Sequence, residues 1–314
     1  MIISRGYSVR SRVLGSLVLV GLLVVAGLSL WPGPIMADTA TTGSATGDEV
    51  TAEPLPLVSS EPGGPIPEIG GRHWRIDTRR GPVHVWQPDN YVEHNAGVVL
   101  YVHGYYTDVD KAWTEQRLPE QFARSGRNAL FIAPTAPSRG RQRVRWTDVG
   151  DLLRTVTEKT GLIRPWGQVV AVGHSGAYRT LMSWLDDDIV EHIVMLDGLY
   201  RGESAFREWL EERREHTNRM TMIAMDTIQE SEMWVRELDY AHELDWMPTT
   251  RAEFSEQALS ARLLYIRSQY DHMAIVESGA VIPVLLQVTG LSATGTRTAA
   301  ARSGPEARGR PVSD

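Results

Sequence analysis

The chain has 314 residues, of which 42% are apolar, and its formal net charge at pH 7 is −7. This apolar share is sufficient for a folded core, whereas the negative charge is not that of a basic nucleic-acid-binding surface. The sequence contains no cysteine, which excludes disulfides, thiolate catalysis and cysteine-ligated metal sites. The composition therefore predicts a folded protein that does not bind nucleic acid.

The N-terminus has the pattern of an export signal. Arg5, Arg10 and Arg12 precede the apolar run Val13–Trp31, and such a positive flank stays in the cytoplasm while the following chain crosses the membrane. The run is long enough to span a bilayer, and Ala37 offers a weak cleavage site. The pattern is compatible with a cleaved signal peptide or with a retained anchor, and both place the rest of the chain in the periplasm or outside the cell. A buried helix is the alternative without export.

Composition divides the chain into four segments. Residues 1–37 form the signal peptide or membrane anchor, and residues 38–71 are a polar segment without apolar periodicity, which predicts a disordered linker. Apolar runs alternate with helical patterns over residues 72–291. Residues 292–314 are rich in Ala, Arg, Gly and Ser, which predicts a disordered tail. We therefore expect one folded domain over residues 72–291.

Within this domain, short apolar runs predict strands and amphipathic stretches predict helices. Residues 72–78 and 81–88 are predicted to form a hairpin. The predicted strands that follow are 97–104, 129–134, 168–173, 192–196, 220–225 and 262–268. The predicted helices are 114–125, 149–160, 177–185, 203–216, a helical insertion over 228–259, and 274–288. This alternation predicts a parallel sheet with helices on both faces.

Sheets of this class bind ligands at the carboxyl ends of their strands. Chemically versatile side chains follow several of the predicted strands directly: His103, Tyr105, Ser175, Asp197, Asp226 and His272. We therefore expect these residues to meet at one edge of the sheet.

Ser175 lies in a turn of unusual composition. The sequence Gly173-His174-Ser175-Gly176-Ala177 follows an apolar strand and precedes a helical pattern. A G-x-S-x-G turn between strand and helix holds its serine in a strained backbone conformation that requires small neighbours, and alanine is small enough for the last position. The helix N-terminus also presents unpaired N–H groups to a developing negative charge. The alternative is a simple turn in which the serine caps the helix.

Three segments of the domain resemble the α/β-hydrolase family, and the resemblance covers nearly all of residues 72–291. They are VVLYVHGYY before the first helix, VGHSGAYR at the turn, and SQYDHM after the last strand. The resemblance implies an α/β-hydrolase fold, with a mostly parallel sheet, helices on both faces and a helical insertion before the last strand. It also implies serine-hydrolase chemistry without a cofactor, with the catalytic residues in the chain order serine, acid, histidine.

The resemblance implies roles for five positions. Ser175 would be the nucleophile and His272 the base, with oxyanion-hole N–H groups at Gly176 and Tyr105. A serine hydroxyl needs a base to remove its proton, and histidine titrates near neutral pH. A carboxylate then fixes the imidazole tautomer. We favour Asp226 for this role, because it follows the penultimate strand beside the last one, and keep Asp197 as the alternative.

Other patterns are less specific. His174 is interpreted as packing or oxyanion support and His103 as structural. The sequence has no H-x-H or H-x-x-x-H pair, so no metal site is predicted. Four arginines alternate along one segment and would share a side if it were extended, where they could attract an anion: Arg139, Arg141, Arg143 and Arg145. A solvated loop face is the preferred interpretation of this segment.

The sequence therefore predicts an exported serine hydrolase that cleaves an ester, or an amide, in a small molecule or a cell-envelope component. It predicts no cofactor and no protein partner. Two alternatives remain open at this stage: a non-catalytic binding domain of the same fold at the cell envelope, and an acyltransferase.

Overall fold

The computed structural model of the chain describes residues 70–212 and 218–295. The predicted signal peptide or anchor (1–37), nearly all of the linker and residues 296–314 of the tail lie outside this range. Within these two ranges, none of the helices combines the length and apolar character required to cross a membrane.

The described residues form a nine-stranded, mostly parallel sheet. Its strands are β1 (Gly71–Ile76), β2 (Val83–Pro88), β3 (Gly97–Val102), β4 (Ala129–Pro134), β5 (Val169–His174), β6 (His192–Leu196), β7 (Arg219–Ala224), β8 (Ala241–Leu244) and β9 (Leu263–Arg267). Their spatial order is β1-β2-β4-β3-β5-β6-β7-β9-β8. The pairs β1–β2 and β2–β4 are antiparallel, and all other neighbouring pairs are parallel. The predicted hairpin and parallel sheet are confirmed.

Helices cover both faces of the sheet. They are α1 (Val109–Glu115), α2 (Leu118–Ser125), α3 (Val149–Thr160), α4 (Tyr178–Met182), α5 (Glu203–Glu212), α6 (Ile228–Val235), α7 (Glu256–Ser260), α8 (Ala274–Glu277) and α9 (Val281–Gln287). Two predicted helices are each divided in two by a residue in the left-handed region. Arg117, at φ 48°, separates α1 from α2, and Gly279, at φ 73°, separates α8 from α9.

The two faces of the sheet bury separate apolar cores. Along β3, Val98 and Leu100 pack into one core with α3, while Val99 and Tyr101 pack into the other with α1, α2 and α9. Successive side chains of a strand point to opposite faces, so a strand buried on both sides is apolar throughout. This burial explains why the strands lack the polar alternation of a half-exposed sheet.

The predicted insertion between β7 and β9 is only partly helical. It contains α6 and α7, but residues 241–244 form the edge strand β8, which pairs in parallel with β9. The short sequence Ala-His-Glu-Leu lacks the apolar run by which the other strands are recognised. Its pairing therefore depends on the exposed edge of β9 rather than on a strong local preference.

The folded domain extends slightly beyond its predicted C-terminal boundary. Ala293 forms a bridge with Arg127, and the N–H of Thr294 donates to the carbonyl of Gly126 at 2.8 Å. Residues 292–294, assigned to the tail from composition, are thus tied to the segment before β4.

Candidate active site

Ser175 lies between β5 and α4, at the carboxyl edge of the sheet. Residues 175–177 form a single 3-10 turn, and Ser175 has a φ of 53°. The left-handed conformation costs a non-glycine residue about 1–2 kcal/mol, so the surrounding fold holds this backbone in place. The turn has the geometry expected of a strained strand-to-helix serine.

Two glycines allow other segments to approach the turn closely. A Cβ on Gly198 would lie 2.9 Å from the carbonyl oxygen of Ser175, so the loop after β6 packs directly on the serine backbone. A Cβ on Gly176 would lie 2.5 Å from ring carbons of Tyr105. The loop after β3 therefore covers the residue that follows the serine, and it brings the two predicted oxyanion-hole residues together.

His272 and Asp197 form a direct contact. Nδ1 of His272 donates to Oδ2 of Asp197 at 2.6 Å. The Asp197 side chain is fully buried, whereas the His272 side chain is 23% exposed. With Nδ1–H committed to the carboxylate, Nε2 of His272 is the nitrogen that can accept a proton.

Asp197 is held in its ionised form by a shell of donors. Its carboxylate accepts hydrogen bonds from the backbone N–H groups of Met225, Asp226 and Thr227, each at 3.0 Å, and from the Thr227 hydroxyl at 2.9 Å. Burial by itself raises the pKa of Asp197, but the hydrogen bonds from His272 and from these N–H groups outweigh it and hold the pKa far below its ordinary value. The buried carboxylate is therefore charged and fixed in orientation.

The pKa of His272 is shifted in the opposite direction. Burial lowers the pKa of His272, but the hydrogen bond that His272 donates to Asp197 and the negative charges of Asp197, Asp226 and Asp271 together raise it above its ordinary value. A histidine in this setting accepts a proton more readily than a free imidazole, which is the property required of a general base.

Asp197 lies closer to His272 than Asp226 does, although the sequence favours Asp226. Oδ2 of Asp226 lies 3.7 Å from Nδ1 of His272, and the Asp226 side chain is 59% exposed. Strand β7 does lie beside β9, as the sequence argument assumed. However, the chain after β7 turns so that its backbone N–H groups point at Asp197, and this turn leaves the Asp226 side chain towards solvent. Asp271 instead accepts from the N–H of Ala274 at 2.7 Å.

His174 and His103 both form hydrogen bonds with the backbone of loops at the site. Nε2 of His174 lies 3.1 Å from the carbonyl oxygen of His272, and the rings of the two histidines are 4.5 Å apart. Burial, followed by the charge of His272, lowers the pKa of His174 to about 3, so it is neutral and donates to that carbonyl. His103 accepts from the N–H of Ala136 at 3.1 Å and donates to the carbonyl of Gly104 at 2.8 Å.

One residue near Ser175 was not identified from the sequence. Tyr200, in the loop after β6, interacts with Ser175. Burial raises the pKa of Tyr200, and the nearby Ser175 side chain partly opposes that increase. Among the described residues no hydrogen bond joins Ser175 to His272, and such bonds in free enzymes often form fully only with substrate present. The one feature of the sequence that could have identified Tyr200 as a site residue is its position three residues after Asp197.

The N–H of Tyr105 has no hydrogen-bond partner among the described residues. Gly176 lies in the first turn after β5, where backbone N–H groups lack partners within the helix. Both predicted oxyanion-hole positions thus have the donor character that the role requires.

Asp197, Asp226 and His272 present oxygen and nitrogen atoms within 4.8 Å of one another. The Asp197 carboxylate already accepts five hydrogen bonds, and Nδ1 of His272 carries one of the protons. These donors occupy the lone pairs that a cation would need, so the cluster fits a hydrogen-bonded pair rather than a metal site.

This fold, with a strained serine after the central strand and a histidine–aspartate pair beside it, defines the α/β-hydrolase class. A profile described as "Alpha/beta hydrolase family" matches residues 99–304, which is more than half of the chain. The chain therefore belongs to the α/β-hydrolase family, and the resemblance seen in the sequence is confirmed.

Comparison with solved structures agrees on the fold. A protein called FAE is similar at 10% identity and a TM-score of 0.50, covering 76% of this chain and 97% of that chain. The feruloyl esterase module from Clostridium thermocellum, as a mutant complexed with sinapinate, is similar at 9% identity and a TM-score of 0.49, covering 74% and 94% respectively. No curated protein matches the chain by sequence. At 10% identity, the likeness to FAE shows the fold alone.

Proposed function

We propose that the chain is an exported serine hydrolase that cleaves an ester bond, or an amide bond, through an acyl-enzyme. The observation that carries the proposal is the buried contact between Asp197 and His272 at the same sheet edge as the left-handed Ser175. Strained serines and charged buried carboxylates are costly to maintain. Together with a partly exposed histidine, they supply the nucleophile, the base and the acid that acyl transfer requires.

The reaction begins with attack of Ser175 Oγ on the substrate carbonyl carbon, while Nε2 of His272 accepts the hydroxyl proton. The carbonyl π electrons move onto oxygen, and the N–H groups of Gly176 and Tyr105 stabilise the resulting oxyanion. When the oxyanion collapses, the bond to the leaving group breaks and His272 gives its proton to that group. Water then attacks the acyl-enzyme by the same route, which releases the acid and restores Ser175.

Asp197 acts through His272 rather than on the substrate. Its carboxylate holds the Nδ1–H tautomer, so that Nε2 is always the accepting nitrogen, and it stabilises the imidazolium formed during attack. The donors around Asp197 keep its charge and direction constant throughout the cycle. Asp226 has no required role in this mechanism.

Export is part of the proposal and depends on the sequence of residues 1–37. The positive flank and the apolar run Val13–Trp31 support a signal peptide or a membrane anchor. An exported hydrolase would meet small-molecule or envelope-derived esters. The chemistry needs no cofactor and no protein partner.

The test is covalent labelling with a fluorophosphonate, which reacts with activated serines. We expect the wild-type protein to be labelled and to hydrolyse short-chain nitrophenyl esters, and the Ser175→Ala variant to do neither. Ser204→Ala, at an exposed serine of α5, is the matched control and should behave as wild type. A folded wild-type protein that is neither labelled nor active would instead support a non-catalytic binding domain.

A further inference from the structure

One edge of the candidate site carries an unusual charge. The arginine loop, defined as residues 138–146, contains four arginines and no acidic residue, in a chain whose net charge is −7. All four side chains are exposed, and among the described residues none of them forms an ion pair: Arg139, Arg141, Arg143 and Arg145. By contrast Arg80, whose guanidinium lies over the Trp146 ring, is paired with Asp151 at 3.1 Å.

Contacts connect this loop to the oxyanion side of the site. The guanidinium of Arg179, on α4 just after the serine turn, donates to the carbonyls of Gly140 at 2.6 Å and Gln142 at 2.9 Å. The same guanidinium donates to the Tyr105 hydroxyl at 3.2 Å, and the Tyr105 ring covers Gly176. Only two residues, Arg179 and Tyr105, therefore separate the loop backbone from the residue that follows Ser175.

The loop is fixed along its length. At its start, the carbonyl of Ser138 accepts from the N–H of Tyr106 at 2.9 Å. At its end, the buried Trp146 ring lies beneath Arg80, and its carbonyl accepts from the Trp184 indole at 2.8 Å. These contacts hold the loop backbone at both ends, so the arginine side chains extend from a backbone of defined position.

The arginine loop is not the extended segment that the sequence analysis considered. The N–H of Gln142 donates to the carbonyl of Arg139 at 3.0 Å, which closes a turn. Arg139 and Arg141 therefore do not follow the alternation of an extended strand. All four arginines are nevertheless exposed, on a segment whose backbone Arg179 connects to the candidate site.

Arg179 increases the positive charge of this region. Among the residues that the structure describes, its guanidinium hydrogen-bonds only to neutral oxygens, those of Tyr105, Gly140 and Gln142. A guanidinium that binds carbonyls keeps its full charge uncompensated, whereas one paired with a carboxylate does not. The guanidinium of Arg179 thus adds a fifth positive charge to the four of the arginine loop, whose backbone it contacts.

We propose that the arginine loop recognises an anionic group on the ester substrate. Guanidinium groups match the planar geometry of carboxylates and bind phosphate or sulfate oxygens in the same manner. A local positive field beside a reactive centre also raises the rate of encounter with anionic ligands. The inference rests on the proposed hydrolase function and adds a substrate class to it: esters that carry a negative charge on the acyl or the alcohol side.

The test compares matched neutral and anionic esters in the full chain. For the acyl side the pair is 4-nitrophenyl butyrate and the mono-4-nitrophenyl ester of glutaric acid; for the alcohol side it is phenyl acetate and 3-acetoxybenzoate. The readout is the ratio of kcat/KM for the anionic to the neutral ester, measured at low salt in wild type and in Arg141→Gln/Arg143→Gln. Intrinsic ester reactivity cancels when the two ratios are compared.

We expect this ratio to fall by about tenfold or more in the double variant for at least one pair, in line with typical electrostatic steering. The matched control is Arg72→Gln/Arg164→Gln, which removes the same charge from exposed positions next to the amino ends of the strands and should leave the ratio unchanged. Added salt should lower the wild-type ratio, because it screens exposed charges over distances of about 10 Å.

Each of the following outcomes would overturn the inference. A ratio that stays the same in the double variant for both pairs shows that the loop does not select anions. An equal fall in the control variant assigns the effect to net charge alone. A wild-type protein that hydrolyses no ester and resists fluorophosphonate overturns the proposed function together with the inference, whereas Ser175-dependent hydrolysis without charge selection overturns the inference alone.

Discussion

Oδ2 of Asp197 and Nδ1 of His272 lie 2.6 Å apart, although 75 positions separate the two residues along the chain. Asp197 follows β6 and His272 follows β9, and β7 lies between these strands in the sheet. The carboxylate reaches across the end of β7, because the backbone after that strand donates three N–H groups to it. The position of the Asp197 carboxylate thus depends on the segments that follow three strands, β6, β7 and β9.

This relationship predicts different effects for the two aspartates. Asp197→Asn should lower kcat by about 10⁴-fold, because an amide no longer fixes the correct histidine tautomer. Asp226→Asn should lower it by less than about tenfold, because that side chain only contributes charge at 3.7 Å. Steady-state kinetics on a nitrophenyl ester decide the matter, with circular dichroism as the folding control. A larger loss of kcat in Asp226→Asn than in Asp197→Asn would instead assign the role of the acid to Asp226.

The pH dependence should report the ionisation of His272. The base must be neutral to accept a proton, so kcat/KM should rise with pH through the His272 pKa. Because neighbouring carboxylates raise this pKa, the midpoint should lie above 6.5, the ordinary value for histidine.

The Asp226→Asn variant provides a control for this profile. It removes one of the charges that raise the His272 pKa, so its midpoint should move to lower pH. A substrate that does not titrate is required. A flat wild-type profile between pH 5 and 8 would argue against His272 as the base.

His174 is expected to be a positioning residue. It donates to the backbone carbonyl of His272, and loss of one buried hydrogen bond costs about 1–1.5 kcal/mol. His174→Ala should therefore lower kcat by about tenfold with little change in KM. Glutamine places an amide N–H near the position of Nε2, so His174→Gln should recover most of the activity.

The pH profile separates this role from proton transfer. The pKa of His174 is about 3, so it remains neutral over the working range, and the midpoint for His174→Gln should match wild type. If the glutamine variant is as impaired as the alanine variant, the hydrogen bond is not what His174 contributes.

Export can be tested with a reporter fused to the C-terminus. Alkaline phosphatase is active only outside the cytoplasm, so we expect activity with the full chain and its loss when Val13–Trp31 is deleted. Fractionation of the same cells into membrane and soluble parts distinguishes a retained anchor from a cleaved signal peptide. Activity confined to a cytoplasmic reporter, such as β-galactosidase, would refute export.

Local patterns in the sequence were sufficient for much of the fold. The apolar runs at 129–134 and 192–196 and the amphipathic stretch at 149–160 match β4, β6 and α3 to the residue. The strand-to-helix turn at Ser175 was also evident, because its small neighbours are adjacent in the chain. The edge strand β8 was not, since its four residues carry no local signal and depend on pairing with β9.

The sequence by itself determined the order of strands and helices, the serine turn and the candidates for base and acid, because periodicity and small-residue turns are properties of neighbouring residues. Only the tertiary structure shows that Asp197, and not Asp226, contacts His272 directly. That contact depends on where the backbone after β7 directs its N–H groups, and therefore on how separate strand ends meet. The same reason applies to the arginine loop, whose place beside the site is set by Arg179 and Tyr105. Contacts between residues far apart in the chain leave no pattern in a single sequence.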